Sequence, residues 1–211
     1  MPILRLSGFR MKPPPWRKTS ANIVGIALSF FSAAIAPAGE PNTHSATTNT
    51  LASFASRVTH GAAGSFDIAM PLTGAPGIEN RIVDIYIGVA TYAENIDTAC
   101  ECYYELDGAR TNAALVDGMV ALFEFSTLTS FQVNLVTVFC GGSETVVSFA
   151  LAYADVDASG LVNRNDKLQV RASIGMPLTN SDFRDDVNAD GKIDQRDGIV
   201  VRAYKGRSLS P

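Results

Sequence analysis

The sequence is poor in the residues that build most enzyme centres. Its 211 residues include two histidines, one tryptophan and three cysteines. Two histidines leave little material for a histidine-rich metal site or a histidine-based catalytic triad, and three cysteines are too few for a disulfide scaffold. Charged residues make up 18% of the chain, which excludes a coiled coil and a disordered acidic chain. The net charge of −4 argues against nucleic acid as a partner.

The charges divide the chain into three regions. Residues 1–38 contain five basic residues and no acidic one. Residues 39–154 contain twelve acidic and three basic residues, a net charge of −9. Residues 155–211 contain nine residues of each sign. Charge regimes that differ this much predict regions with different roles.

The first region has the organisation of an export signal. A basic stretch ends at Lys18, an apolar segment of 14 uncharged residues follows, and Ala36-Pro37-Ala38 has the small-x-small pattern of a signal peptidase site. We therefore predict a Sec-type signal peptide over 1–38, and a protein that is secreted or held at the cell surface. A retained membrane anchor is the alternative, although the apolar segment is short for the ~20 residues of a spanning helix. Met1 and Met11 are both candidate starts.

In an exported protein, the three cysteines are expected to form one disulfide and to leave one free thiol. Cys100 and Cys102 flank Glu101. Residues two apart on a strand point to the same face, so either cysteine can pair with Cys140, and the pairing stays open. A Cys-x-Cys metal or redox site is disfavoured because it lacks a fourth ligand and a nearby histidine.

The middle region shows the alternation of short antiparallel strands. After a polar linker over 39–52, apolar and polar residues alternate within 53–153, as in Val83–Val89 and Phe131–Leu135. Turn sequences such as Gly74-Ala75-Pro76-Gly77 separate these runs. About seven strands in about 100 residues predict an immunoglobulin-like β-sandwich over 53–153.

No catalytic residue is predicted in this sandwich, and the protein is therefore interpreted as non-enzymatic. Its acidic residues are expected to form a solvated face, because nothing places two carboxylates in an apolar cleft as glycoside hydrolysis requires. His60 precedes a glycine-rich turn and is interpreted as a turn residue. The acidic candidates are Glu101, Glu105, Asp107 and Glu124, and the tyrosines that could form an exposed sugar-binding row are Tyr86, Tyr92, Tyr103 and Tyr104.

The last region contains the most specific pattern, a segment that occurs twice. Asp155–Gly175 and Asp186–Gly206 are identical at nine of 21 aligned positions. Each begins with a 12-residue loop that has oxygen-bearing side chains at positions 1, 3, 5, 9 and 12 and glycine at position 6. Calcium takes six to eight oxygen ligands, one of them the carbonyl at position 7, so this spacing predicts two Ca²⁺ ions. The predicted ligands are Asp155, Asp157, Ser159, Leu161, Asn163 and Asp166, and Asp186, Asn188, Asp190, Lys192, Asp194 and Asp197.

The residues around the loops predict how the two repeats pack. A helix is expected to start inside each loop and to end at Gly175 or Gly206 as a C-terminal cap. Val162 and Ile193 at position 8 face away from the ions and can pack the loops together. The second loop offers four carboxylates and the first offers three, with Ser159 at position 5, so the second site is expected to bind calcium more tightly.

The two loop–helix repeats resemble the type I dockerin module, over 154–208. That family has aspartate at position 12, as in Asp166 and Asp197, and a short linking helix that Leu178–Arg184 resembles. The resemblance implies a small α module of paired EF-hand-like units with calcium-dependent folding. It also implies docking onto a cohesin-like module or another secreted protein, in a cell-surface or polysaccharide-degrading assembly. A sandwich followed by such a module also resembles a group of secreted bacterial proteins.

Dockerins often carry partner-binding residues at positions 10 and 11, which here are Arg164-Asn165 and Gln195-Arg196. The predicted docking face is therefore basic and lacks the usual symmetry. Three functions follow as alternatives: calcium-dependent attachment, a purely structural calcium module that caps the sandwich, and a small dockerin-borne polysaccharide-active enzyme. The missing linker between Tyr153 and Asp155 favours the second, because docking modules are usually tethered flexibly.

Overall fold

The computed structural model describes residues 49–97 and 99–210. These residues form two five-stranded sheets and two short α-helices, a mainly β architecture that is consistent with a β-sandwich. The predicted signal peptide over 1–38 and most of the predicted linker over 39–52 lie outside the described residues. Within the described ranges, no helix has the length and apolar character needed to cross a membrane.

The described residues form ten strands, three more than the sequence predicts. β3, β6 and β7 have only three or four residues, too few to display alternation. The strands are β1 (Leu51–His60), β2 (Gly64–Met70), β3 (Gly77–Glu79), β4 (Tyr86–Tyr92), β5 (Tyr103–Leu106), β6 (Ala109–Asn112), β7 (Leu115–Asp117), β8 (Val120–Phe125), β9 (Gln132–Cys140) and β10 (Ser143–Leu151).

The first sheet has the order β2-β1-β4-β8-β7, and the second has the order β3-β10-β9-β5-β6. Every pairing is antiparallel except the parallel pair of β3 and β10. The two helices follow the sheets as α1 (Arg164–Ser173) and α2 (Gln195–Tyr204), with 3₁₀ turns at Gly61–Ala63 and Phe183–Asp185. β1 begins at Leu51, two residues before the predicted domain boundary at 53.

In β4 the side that carries Tyr86 and Tyr92 is buried, and of the apolar series within Val83–Val89 only Val89 is buried. Tyr86 and Tyr92 are buried, whereas Ile85 is half exposed. A Cβ atom at Gly88 would overlap the rings of Phe54 and Phe125. The small residues of β4 therefore leave room for phenylalanines of the neighbouring strands, and large rings fill the core.

The alternation of Phe131–Leu135 is also misleading. Phe131 adopts a left-handed conformation with φ of 60° and is buried against the C-terminal region. The strand begins after it, so Val133 and Leu135 are exposed while Val136 is buried. One residue with a positive φ thus reverses the face that the rest of the strand buries.

The predicted disulfide forms between Cys102 and Cys140, and Cys100 is an exposed free cysteine. Cys102 lies directly before β5, and Cys140 ends β9, the strand that pairs with β5. The bridge therefore joins neighbouring strands of one sheet.

The C-terminal region packs directly onto the sheets, and the described residues form one compact unit. Phe183 and Ala189 belong to the core cluster of the sheets. The chain leaves β10 with no flexible linker, because the Ala152 and Ala154 N–H groups donate to carbonyls of residues 79 and 80, each at 2.9 Å. A second core cluster holds the repeats together and consists of Phe131, Ala152, Ala154, Val156, Val162, Val170, Val187, Ile193 and Val201.

Candidate metal centre

The first loop brings three carboxylates together immediately after β10. Oxygen atoms of Asp155, Asp157 and Asp166 all lie within 4.8 Å of one another. Asp155 and Asp166 are fully buried. The Ser159 Oγ lies 3.4 Å from the Asp155 Oδ1 and 3.3 Å from the Leu161 carbonyl oxygen. Five of the six predicted ligands of this loop therefore lie around a common space.

The second loop repeats the hydrogen bonds of the first at equivalent positions. The Gly160 N–H donates to Asp155 Oδ2 at 2.7 Å, and the Gly191 N–H donates to Asp186 Oδ2 at 2.8 Å. The position 3 N–H donates to the position 12 carboxylate at 3.2 and 3.3 Å. The position 9 N–H donates to the other oxygen of that carboxylate at 2.7 and 2.9 Å. Equal bonds at equal positions give the two loops one backbone conformation.

The predicted ligands at position 9 act as helix N-caps. Asn163 Oδ1 accepts from the Asn165 N–H at 2.7 Å, and Asp194 Oδ1 accepts from the Arg196 N–H at 2.6 Å. In each loop the position 12 aspartate completes a capping box. Position 9 commonly reaches calcium through a water molecule, which fits side chains that are already engaged at a helix terminus.

Each helix ends on the loop of the other repeat. The Gly175 N–H after α1 donates to the Ile193 carbonyl at 2.9 Å, and the Gly206 N–H after α2 donates to the Val162 carbonyl at 2.8 Å. Both glycines have a positive φ, as expected for the predicted C-terminal caps. Val162 and Ile193 are buried in one cluster. These reciprocal bonds join the end of each helix to the loop of the other repeat.

Burial makes the loop carboxylates hard to ionise. Burial is the main cause that raises the pKa of Asp155 and of Asp197 to about 6, and it also raises the pKa of Asp185. For Asp157 burial is outweighed by hydrogen bonds, mainly from Ser159, and its pKa is lowered. A cation would stabilise the charged forms. The donor set consists of carboxylate, hydroxyl, amide and carbonyl oxygens only, which is the set that Ca²⁺ prefers, so these residues fit the predicted ion.

We expect the calcium-stripped protein to lose stability as the pH rises from about 4 to about 7. The pKa of Asp155 and Asp197 is about 6 in the fold, against an ordinary value of 3.8. Between these values the folded state binds more protons than the unfolded state, so protonation stabilises the fold, and this contribution disappears as the pH passes about 6. The lowered pKa of Asp157 acts in the opposite direction and reduces the total loss of stability. The net loss is on the order of 2–4 kcal/mol.

Urea unfolding of calcium-stripped protein at several pH values measures this loss. Saturating calcium should remove it, because the ion keeps the carboxylates ionised at every pH where it stays bound. A calcium-stripped protein that is more stable at pH 7 than at pH 5 would contradict the prediction.

The structure reveals a buried polar cluster that the sequence did not predict. His60, interpreted as a turn residue, is fully buried, and so are Glu79 and Arg81. Arg81 donates to both carboxylate oxygens of Glu79, each at 2.7 Å. The signal that could have found it is charge, since Arg81 is one of only three basic residues in the acidic region 39–154.

The predicted partner-binding residues Arg164, Asn165, Gln195 and Arg196 are all exposed at the start of the two helices. Arg164 lines a cavity of about 390 Å³ between α1 and α2, and Gln195 lines an adjoining one of about 350 Å³. Arg196 instead lies beside Asp190 of the second loop, with 3.3 Å between Nη1 and Oδ2. We refer to these two cavities together as the helix groove. Its main lining residues are Lys167, Leu168, Arg171, Ile199, Arg202 and Lys205.

The tyrosines and acidic residues considered for a function of the sandwich do not lie together on one exposed surface. Tyr86, Tyr92 and Tyr104 are buried, so the proposed exposed row does not form. Tyr103 lies between the ring of Phe139 and the guanidinium of Arg110. Of the acidic candidates, Glu101, Asp107 and Glu124 are exposed and Glu105 is half-buried.

The fold and the loops define the class of the protein: a mainly β chain with two sheets that ends in a pair of capped loop–helix repeats. Comparisons of the chain with protein-family models, with curated proteins and with solved structures find no match. Whatever is inferred about function therefore comes from the residues and their geometry.

Proposed function

We propose that the protein is a secreted, non-enzymatic binding protein whose C-terminal dockerin-like module binds two Ca²⁺ ions and attaches it to a partner. The observation that carries this proposal is the repeated loop geometry. Two 12-residue loops form the same hydrogen bonds at equivalent positions, and in the first loop oxygens of Asp155, Asp157 and Asp166 lie within 4.8 Å of one another. Two loops of one conformation next to two matched helices are elements that support calcium-dependent recognition.

The helix groove is the surface that suits a partner best. Leu168 and Ile199 are 48% and 66% exposed, although both lie on helices of a folded module. Basic side chains surround them, with Arg171 and Arg202 at equivalent positions of the two repeats. An acidic protein with apolar side chains at its centre fits this combination, and charge of this kind mainly raises the association rate. A cohesin-like protein is the partner that the dockerin resemblance implies.

The strand order supports an immunoglobulin-like sandwich as the finer description of the fold. The sheet β2-β1-β4-β8-β7 contains the neighbours expected for strands A, B, E and D, and β10-β9-β5 are arranged as G, F and C. The disulfide joins the strands that correspond to C and F. Sandwiches of this kind are common in secreted binding proteins, which agrees with a non-enzymatic role.

Charge reversal in the helix groove is expected to abolish partner capture. The double variant Arg171→Glu and Arg202→Glu changes the centre of the groove without altering a predicted calcium ligand. Capture of a secreted partner by the immobilised full chain should depend on calcium and be lost in this variant. It should also weaken at high salt, because exposed charges are screened. Calcium affinity should stay within about threefold of the unchanged chain.

A control variant with the same change in net charge is Arg57→Glu and Arg110→Glu, two exposed positions of the sandwich. Capture should survive in this control. Binding that persists after reversal at Arg171 and Arg202 would exclude the helix groove as the docking surface. Calorimetry that detects no calcium binding to the full chain would refute the proposed function as a whole.

A second candidate function is supported by one specific observation. Phe183 and Ala189 of the C-terminal region lie in the core of the sheets, so the calcium loops could serve only to close the sandwich. If charge reversal lowers the unfolding temperature and no calcium-dependent partner is captured, this structural role is the correct one.

A further inference from the structure

A histidine of the sandwich contacts the first ligand position of the second calcium loop. His60 at the end of β1 lies with its Nδ1 2.8 Å from Asp186 Oδ2, and both side chains are fully buried. The same Asp186 oxygen accepts from the Gly191 N–H at 2.8 Å, and the Asp190 N–H donates to Oδ1 at 3.2 Å. The carboxylate is therefore oriented from two sides, by its own loop and by a strand that lies far earlier in the chain.

Arg81 determines which nitrogen of His60 carries the proton. The Arg81 Nη1 lies 3.2 Å from His60 Nε2. A guanidinium nitrogen can only donate, so Nε2 is the acceptor and Nδ1 carries the hydrogen that it donates to Asp186. Arg81 is itself fixed by Glu79 and by the Phe66 carbonyl, at 2.8 Å. His60 therefore presents an N–H donor to the Asp186 carboxylate.

The backbones of the two segments also touch, and glycine is required on both sides of this contact. A Cβ atom at Gly61 would overlap the carbonyl of Asp190. A Cβ atom at Gly191 would stand 2.8 Å from the His60 carbonyl oxygen. Gly191 is position 6 of the second loop. The β1–β2 turn therefore packs against positions 5 and 6 of this loop so closely that no methyl group fits between the two backbones.

The first loop has a different cover in the described part of the chain. Its position 6, Gly160, would place a Cβ atom 3.6 Å from the Leu209 side chain, an ordinary contact. The Leu209 N–H donates to the Gly160 carbonyl at 2.9 Å. Asp155 accepts only from residues of its own loop, Ser159 and Gly160. The two loops thus have the same internal bonds and different surroundings.

We infer that the second calcium site is a composite site, in which the β1–β2 turn of the sandwich positions the ligand Asp186 through His60 and fixes the loop through Gly61. His60 is a positioning residue: it would hold the carboxylate of Asp186 and is not itself one of the predicted ligands. A group that orients a ligand and satisfies its outer oxygen typically changes metal affinity about 10–100-fold when it is removed. This inference rests on the proposed calcium binding, and it adds that the sandwich and the second ion stabilise each other.

Calorimetric titration of the calcium-stripped full chain tests the inference with two variants. Gly61→Ala disturbs the backbone contact, and His60→Leu removes the donor. Each is expected to lower the affinity of the second site at least tenfold and to leave the first site within twofold. His60→Asn is expected to restore part of the loss, because the asparagine Nδ2 stands close to the place of the histidine Nδ1. Repeating the titrations in an Asp157→Asn background, which weakens the first site, assigns the two affinities.

Gly64→Ala is the control within the same turn. Gly64 has φ of 110°, and a Cβ atom there meets nothing within 4 Å, so this variant strains the turn without contacting the loop. Both affinities should stay within twofold. Two unchanged calcium affinities in Gly61→Ala and in His60→Leu would overturn the composite site and leave the proposed function intact. A full chain that binds no calcium would overturn both.

Discussion

Removal of calcium from the full chain is expected to lower its unfolding temperature by roughly 10–20 °C. An ion at about 100 times its dissociation constant stabilises a folded protein by about 2.7 kcal/mol, and two sites double this. For a chain of this size, about 1 kcal/mol shifts the unfolding temperature by roughly 2–4 °C. Without the ions, the buried carboxylates of each loop, Asp155 beside Asp166 and Asp186 beside Asp197, lack the cation that would offset the repulsion within that loop.

The loss is expected in one cooperative transition and not in two. Phe183 and Ala189 fill part of the core between the sheets, and Phe131 of the sandwich fills part of the core between the repeats. The Ile82 N–H also donates to the Val187 carbonyl at 2.8 Å. Because each part supplies core residues to the other, melting of the calcium loops removes packing from the sandwich.

Differential scanning calorimetry in calcium and in chelator gives both results. Magnesium at the same concentration is the control, since its smaller size and preference for octahedral sites should give a much smaller shift. An unfolding curve that chelator leaves unchanged would contradict the calcium sites. Two separate transitions, with only the smaller one sensitive to calcium, would contradict the shared core.

Arg81→Met is expected to destabilise the protein by about 3–5 kcal/mol. The substitution keeps an unbranched side chain in place of the arginine stem but leaves the Glu79 carboxylate buried without its partner, and the loss of one member of a buried pair has a cost of this size. The Ser56 Oγ donates to Glu79 at 2.5 Å and cannot neutralise its charge. Denaturant unfolding in saturating calcium measures the effect.

The matched control is Arg57→Met, which removes the guanidinium from an exposed pair with Asp67. Exposed pairs of this kind contribute about 0–1 kcal/mol, so this variant should remain close to the unchanged chain. Replacing Glu79 by Leu together with Arg81→Met should recover part of the stability, because no charge is then buried alone. Equal effects of the Arg57 and Arg81 substitutions would show that burial of the pair does not matter.

The two loop–helix repeats were predictable from the sequence because their pattern is local. Twelve consecutive residues contain all the oxygen positions of each loop, and the return of the whole pattern in a second segment makes a chance match improbable. The helix starts and the glycine caps follow from the same short spacing. Calcium binding itself stays a prediction until it is measured.

The sandwich was predictable only in outline, because strand faces depend on distant neighbours. Tyr86 and Tyr92 turn inward because Gly88 between them admits two phenylalanine rings of other strands. The composite site was beyond reach for the same reason, since His60 and Asp186 lie 126 positions apart in the chain. A lone histidine before a glycine-rich turn is an ordinary pattern until the fold places a carboxylate beside it.

The direct passage from β10 into the first loop fixes the direction of the helix groove, so under the proposed function a bound partner would meet the sheets at one angle. A module on a flexible tether samples many orientations, and association must pay for the loss of this freedom. Here the Ala152 and Ala154 N–H groups donate to the carbonyls of Glu79, the last residue of β3, and of Asn80, so the helix groove keeps one direction relative to the sheets. Copies attached to a regular surface would then all project their sandwiches at the same angle. A force applied to a sandwich would be transmitted to the groove through hydrogen-bonded backbone, because no flexible linker lies between them.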